Sequence, residues 1–216
     1  MIVLALDTCL SACSVALLND GLLIGSASEP MTRGHQERLA PMVRDVVRAA
    51  GLSFGDLGRI GVTVGPGSFT GLRVGLSFAK GMALALDRPC VGVGVLEALA
   101  GSVPEDGLKA AVIDGGRGNL YLQLFEGAAA LTAPDILTVD AAAARLVEVC
   151  GARDLTLVGP GVALLAAAAP AARVMALEAP SAETVGMLAA NALLAPPTPL
   201  YLRPPDALPK AARPAR

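Results

Sequence analysis

Two acidic residues, Asp7 and Asp114, each close a short apolar run and open a polar turn. They stand at matching places in the two halves of the chain. Two such carboxylates facing one cleft could hold a metal-bound nucleotide, because hard divalent cations take oxygen ligands. The alternative is that each acid satisfies the backbone of its own turn. Asp114 leads into Gly115-Gly116-Arg117-Gly118, a candidate phosphate turn, and Gly159-Pro160-Gly161 could approach a nucleobase or simply end a strand.

The strongest local signal is Gly65-Pro66-Gly67-Ser68-Phe69-Thr70-Gly71-Leu72-Arg73. Its glycines and proline mark a turn that ordinary side chains could not make. Ser68 or Thr70 can cap the helix that follows. A strand, a glycine turn and a helix N-terminus bring free N–H groups and the helix dipole to one spot, which suits an anion. Yet the spacing is neither G-x-x-x-x-G-K-[ST] nor G-x-G-x-x-G, and the phosphate-binding lysine is missing. The candidate nucleotide or phosphate contacts are Asp7, Thr8, Gly65, Gly67, Ser68 and Asp114. The competing reading is a tight connection that lets a helix lie close to its sheet.

Other chemistry is scarce. His35 is the only histidine, so a histidine-based metal site lacks its ligands, and we assign no metal site. A Ser–His–Asp arrangement would depend on that one residue, and no G-x-S-x-G elbow exists. We assign no catalytic residue. Cys9, Cys13, Cys90 and Cys150 form no CxxC pair and have mostly apolar or small neighbours, as expected of buried small hydrophobes in a reducing cytosol. Glu29, Arg33, His35, Glu37 and Arg38 form a polar run that reads as a solvated loop or an interface rim. The net charge of -2 argues against a stand-alone nucleic-acid binder, which needs a basic stripe. The N-terminus lacks a signal peptide's charged start and long apolar core. No stretch reaches the roughly 20 apolar residues of a membrane span. The expected location is the cytoplasm.

The chain is 54% hydrophobic but only 3% aromatic, so its core must be closely packed Ala, Val, Leu and Gly. Apolar runs at 2–6, 13–18 and 22–28 predict three antiparallel strands, with Asn19-Asp20-Gly21 as a hairpin turn. Leu39, Met42, Val43, Val46, Val47 and Ala50 recur at helical spacing. Pro41 lacks an N–H and predicts a helix that starts near Ala40 or is kinked before it. A strand at 60–64, the glycine turn, a helix at 70–86, a strand at 90–93 and a helix opening at 96–100 follow. After a Ser/Pro/Asp/Gly cluster at 101–107 the pattern restarts, with strands at 110–113 and 120–125, a helix at 141–149, a strand at 155–158 and a helix at 182–194. The element order predicts an N-terminal lobe at 1–102, a C-terminal lobe at 103–203 that is a shortened copy of it, and a Pro/Ala-rich tail at 204–216 with little structure of its own.

The helix at 70–86 is apolar nearly all round. Gly71, Gly75, Ala79 and Ala83 form a small-residue stripe, and Leu72, Leu76, Phe78, Met82 and Leu86 cover much of the rest. A surface helix should show a single apolar face. This one is either buried within the chain or meets a partner, and the small-residue stripe would allow close approach to another helix.

These motifs together resemble the bacterial TsaB family, also called YeaZ. The likeness is carried by Ile2-Val3-Leu4-Ala5-Leu6-Asp7-Thr8, by Arg33-Gly34-His35-Gln36-Glu37 through Leu39 and Pro41, and by the turn from Gly65 to Arg73. Lys80-Gly81, Val91-Gly92-Val93 through Leu96-Glu97-Ala98-Leu99, and Pro199-Leu200-Tyr201-Leu202-Arg203 add to it. It is dense over residues 1–100 and sparse from there to about 198. It implies an α/β fold of the actin-like, sugar-kinase-like ATPase class with two related lobes. It also implies a non-catalytic, scaffolding role in making threonylcarbamoyladenosine beside the tRNA anticodon. The transfer step would belong to the paralogous TsaD, whose metal-binding histidine motif this chain lacks.

The implied partners are TsaD, the ATPase TsaE in the assembled complex, and a second copy when the chain is alone, with tRNA met only through the complex. The implied cofactors are none for the chain itself, with ATP or ADP at the complex interface left open. The expected interface is His35, Arg38, Leu39, Met42, Gly71, Leu72, Gly75, Leu76, Ala79, Met82 and Ala83. Two departures stand out: Gln36 where the family often has Ser, and Asp114-Gly115-Gly116 where it often has Asp-Ala-Arg. The rival reading is an independent ATP-dependent small-molecule kinase of the same fold. In the tail, Lys210, Arg213 and Arg216 are the cations that could graze tRNA phosphates.

Overall fold

The computed structural model describes residues 1–103, 106–194 and 196–203. The predicted tail at 204–216, with Lys210, Arg213 and Arg216, lies outside the described residues.

β1 (Ile2–Asp7), β2 (Ala12–Asn19) and β3 (Leu22–Pro30) form the predicted antiparallel meander. α1 (His35–Ala49) crosses to β4 (Leu57–Thr63), which runs parallel to β1. α2 (Phe69–Leu86) then crosses to β5 (Cys90–Val93), parallel to β4, giving the order β3-β2-β1-β4-β5. α3 (Val95–Gly101) leads to a second sheet built from β6 (Leu108–Gly116), β7 (Asn119–Glu126), β8 (Ala129–Ala130), β9 (Asp135–Thr138), β10 (Leu155–Val158) and β11 (Arg173–Met175). Its order is β11-β10-β6-β7-β8, with β9 also paired to β7, and α4 (Val139–Cys150) connects β9 to β10. β8, β9 and β11 are short, and sequence patterning misses them.

β1 is apolar from Ile2 to Leu6 because both faces of the first sheet are covered. Leu4 and Leu6 join Val15 and Leu17 beneath α1 and α2, while Val3 and Ala5 join Ala16 and Leu18 under α5 (Ala182–Asn191). The first of these cores continues through Leu96 and Leu99 of α3 to Ala111, Ile113 and Phe125 of the second sheet. The other face of the second sheet packs on Ala142 and Leu146 of α4.

Two expectations change. α1 begins at His35, ahead of Pro41, because buried His35 and Leu39 extend the stripe of Met42, Val43, Val46 and Val47 back by a turn. Gly34, at φ +86°, makes the entry. α5 falls within the stretch assigned to the second lobe, yet packs on β1, β2, β4 and β5 of the first sheet. Arg59 of β4 holds it there, donating from Nη1 to the carbonyls of Ala189, Ala190 and Ala192 at 2.7, 2.8 and 3.2 Å. A cation on the last carbonyls of a helix also favours the dipole.

Candidate functional site

The site grows from two turns that lock together. Asp7, at the end of β1, is wholly buried. Its Oδ1 accepts from Thr63 Oγ1 at 2.7 Å and from the Cys9 N–H at 3.2 Å, while Oδ2 has no partner. Burial outweighs these hydrogen bonds and pushes the carboxyl up to about 6. Burial and the neighbouring Asp7 also push the Cys9 thiol up, so Cys9 is a protonated, packed group. Cys90 and Cys13 are each raised by burial to about 11.

The glycine turn closes over this pocket. Gly65 has φ +99°, a conformation that side chains resist. The Ser68 N–H donates to the Cys9 carbonyl at 2.7 Å, and Thr8 Oγ1 donates to the Gly71 carbonyl at 2.7 Å. A Cβ on Gly67 would overlap the Cys9 carbonyl, and one on Gly71 would overlap the Thr8 carbonyl. One on Gly75 would stand 2.5 Å from Thr8 Oγ1. Ser68 is the cap of α2, its Oγ accepting from the Gly71 N–H at 3.2 Å.

Asp7, Thr8, Gly65, Gly67 and Ser68 are thus brought together, but around the chain's own backbone. The turn is tied to the chain's own backbone by Ser68 on Cys9 and by Gly71 on Thr8, which favours the reading of close helix–sheet packing. Asp114 belongs to the second sheet. It is exposed, and its Oδ1 accepts from the Gly116 N–H at 2.7 Å, the local turn role. Among the described residues no three His, Cys, Asp or Glu side chains gather as a metal site.

The small-residue stripe also faces inward. Gly71, Leu72, Gly75, Leu76, Ala79 and Ala83 are all buried against the chain's own sheet, as are His35, Leu39 and Met42 of α1. Of the eleven residues of the expected interface, only Arg38 and Met82 keep part of their surface in the single chain, and Arg38 is already paired with Glu29 of β3. The reason is steric. Only a helix without side chains at 71 and 75 can sit on Thr8.

The outer face of α2 carries other residues. Arg73, Ser77 and Lys80 are exposed, Val74, Phe78 and Met82 are half-buried, and Leu84 is 85% exposed. A groove of about 570 Å³ runs between α1 and α2, lined by Gln36, Leu39, Phe69, Arg73, Val74 and Phe78, among others. Segment 196–203, noted in sequence only as a terminal motif, straps across the turn. The Leu200 N–H donates to the Val64 carbonyl at 2.7 Å, and Arg203 Nη2 donates to the Gly116 carbonyl of the second sheet at 3.1 Å. Thr63 and this strap are what sequence reasoning missed, since neither shows periodicity.

The model of the TsaD family, tRNA N6-adenosine threonylcarbamoyltransferase, matches residues 25–195. The chain is 40% identical over 124 residues to the tRNA threonylcarbamoyladenosine biosynthesis protein TsaB of Escherichia coli (strain K12), covering 56% of this chain and 53% of that protein. The chain thus spans about half the length of the curated TsaB relatives it matches, 53% and 56% for those of Escherichia coli and Bacillus subtilis. The solved structure of YeaZ from Pseudomonas aeruginosa matches at a TM-score of 0.80 and 30% identity, covering 93% of this chain and 99% of that one. An activator of 2-hydroxyisocaproyl-CoA dehydratase from Clostridium difficile, solved with bound ADPNP, matches at a TM-score of 0.52 and 13% identity over 88% of this chain and 94% of that one. That likeness speaks for the actin-like, sugar-kinase-like ATPase fold alone. With two sheets of one strand order, a glycine turn locked onto the end of β1, and full-length likeness to a solved YeaZ, the chain belongs to the TsaB (YeaZ) family.

Proposed function

We propose that this chain is a non-catalytic, cytoplasmic subunit of the machinery that makes threonylcarbamoyladenosine next to the tRNA anticodon, and that it docks TsaD through the outer face of α2 and the groove beside α1. The observation that carries the reading is that face: Val74, Phe78 and Met82, spaced four apart, keep apolar surface on a helix whose opposite side is already filled. Apolar side chains left together on a helix are the usual mark of a docking site. The family's names tie it to threonylcarbamoyladenosine biosynthesis, and the single histidine is buried at the start of α1. The same face would serve a homodimer when TsaD is absent. TsaE and tRNA would join only the assembled complex, with any ATP or ADP held at its interfaces.

The test is co-purification and sedimentation with TsaD. Ser77→Arg adds bulk to the exposed face without touching the core. It is expected to keep the chain's melting temperature and weaken TsaD binding by more than about tenfold. Unchanged binding would overturn the docking face. Purified alone, the chain should turn over ATP feebly or not at all, and robust turnover with a sugar or acid would overturn the non-catalytic role.

A further inference from the structure

The strap does more than cover the glycine turn. Tyr201 packs its ring on Phe69, with centroids 5.6 Å apart and planes tilted by 41°. On the same Phe69 ring the Arg73 guanidinium lies 3.7 Å from the centroid. Arg73 Nε donates to Tyr201 Oη at 3.4 Å. Phe69 and Tyr201 are both 48% exposed. Among the described residues Arg73 makes no ion pair. Tyr201 is no loose end, because Leu200 is bonded to Val64 on one side and Arg203 to Gly116 on the other.

We infer that the strap is a second, built part of the docking surface, and that Arg73, held by Phe69 and Tyr201, meets a carboxylate of the partner subunit. This rests on α2 being the docking helix. A guanidinium stacked on a ring has lost part of its freedom before it binds, and its outer N–H groups stay open for a two-pronged contact. Arg73 lines the same groove as Val74 and Phe78, so docking would strip water from the pair, which strengthens it. Aromatic and arginine side chains are also the types that concentrate interface energy. A protein carboxylate suits the site better than an RNA phosphate, because the neighbours are apolar and the chain as a whole carries a charge of -2. Tyr201 is a positioning residue here, acting through Arg73.

The experiment measures calorimetric binding of the full chain to purified TsaD at low and high salt, beside melting temperature. Arg73→Ala is expected to weaken binding about tenfold and to flatten its salt dependence. Arg73→Lys should recover only part, since lysine lacks the planar fork. Tyr201→Ala should weaken binding about as much, and Tyr201→Phe should recover only part, since its ring still packs on Phe69 while the hydroxyl that accepts from Arg73 Nε is lost. If Ser77→Arg blocks TsaD while Arg73→Ala and Tyr201→Ala bind as the unaltered chain does, this inference falls and the docking face stands. If Ser77→Arg binds normally, the docking face falls first. Should Tyr201→Ala fail to fold, Arg73→Ala alone decides. If Arg73→Ala spares TsaD binding but weakens tRNA binding by the complex, the cation serves a phosphate and the inference is overturned.

Discussion

The two sheets repeat one strand order, β3-β2-β1-β4-β5 and β8-β7-β6-β10-β11, with parallel and antiparallel pairs at the same places. In each, a Gly-Pro-Gly turn follows the strand that runs parallel to the acidic one. In each, the turn's second glycine lies on the end of that strand: Gly67 against Cys9, and Gly161 against Ile113 and Asp114. From there they diverge. Four residues on, the first half has Gly71 and the second has Leu165, whose side chain is fully buried. Gly71 lets the backbone of the 18-residue α2 touch Thr8 in its first turn. In the second half the turn is followed only by two single-turn 3-10 segments, Val162–Leu164 and Ala166–Ala168, on either side of Leu165 and ahead of Pro170. The acids diverge in parallel, Asp7 sealed under its turn and Asp114 open to water. Small residues at a fixed spacing, more than the glycine turn itself, separate a helix-bearing half from a shortened one.

The comparison breaks most readily at Gly71. Gly71→Ala would drive a Cβ into backbone that cannot move aside, and should cost about 3 kcal/mol or more in urea unfolding. A chain as stable as the unaltered one would show that contact with Thr8 does not set the helix.

Next in size is the contrast between the acids. The folded Asp7 carboxyl sits near 6, above its ordinary 3.8. Between those values the folded chain binds more protons than the unfolded one, so stability from this group falls as pH rises from about 4 to 6. The full span is on the order of 3 kcal/mol. Unfolding measured against pH should therefore show a slope that Asp7→Asn removes and Asp114→Asn leaves in place. Equal slopes in all three chains would refute the sealed carboxylate.

Arg59 tests the element that the second half lends to the first sheet. Arg59→Met removes the donors to two α5 carbonyls and to that of its cap, Ala192, and should cost about 2 kcal/mol. Faster amide exchange confined to residues 182–191 would show that the loss lies in docking α5. The smallest effect has the opposite sign. Gly81 is exposed in α2 and a Cβ there meets nothing, so Gly81→Ala should raise stability by about 0.5–1 kcal/mol. Loss of stability at Gly81 would mean that glycine serves this helix beyond the Thr8 contact.

Much of the fold was legible in the sequence. Apolar runs at the strands, Asn19-Asp20-Gly21 between β2 and β3, and the glycine turn before α2 all carry local signals that the structure keeps. Less was legible at the site. Pro41 pointed to a later start for α1 because local propensity says nothing of the contacts that bury His35 and Leu39. Leu72, Leu76, Ala79 and Ala83 were expected at a partner because a helix apolar all round does not declare which side meets its own sheet. Thr63, Leu200 and Arg203 sit far in sequence from the turn they fasten.

What the sequence by itself determined is local: which segments are strands, where a backbone must turn as only glycine allows, and that a single histidine cannot furnish a metal-binding motif. What only the tertiary structure decided is relative: which face of α2 turns inward, that α5 returns to the first sheet, that Asp7 loses water, and that Tyr201 and Arg73 meet over Phe69. The physical reason is range. Periodicity and turn chemistry act over a few residues, whereas burial and steric fit depend on groups that folding alone brings together, and at α2 the deciding group is the Thr8 backbone, 63 residues from Gly71.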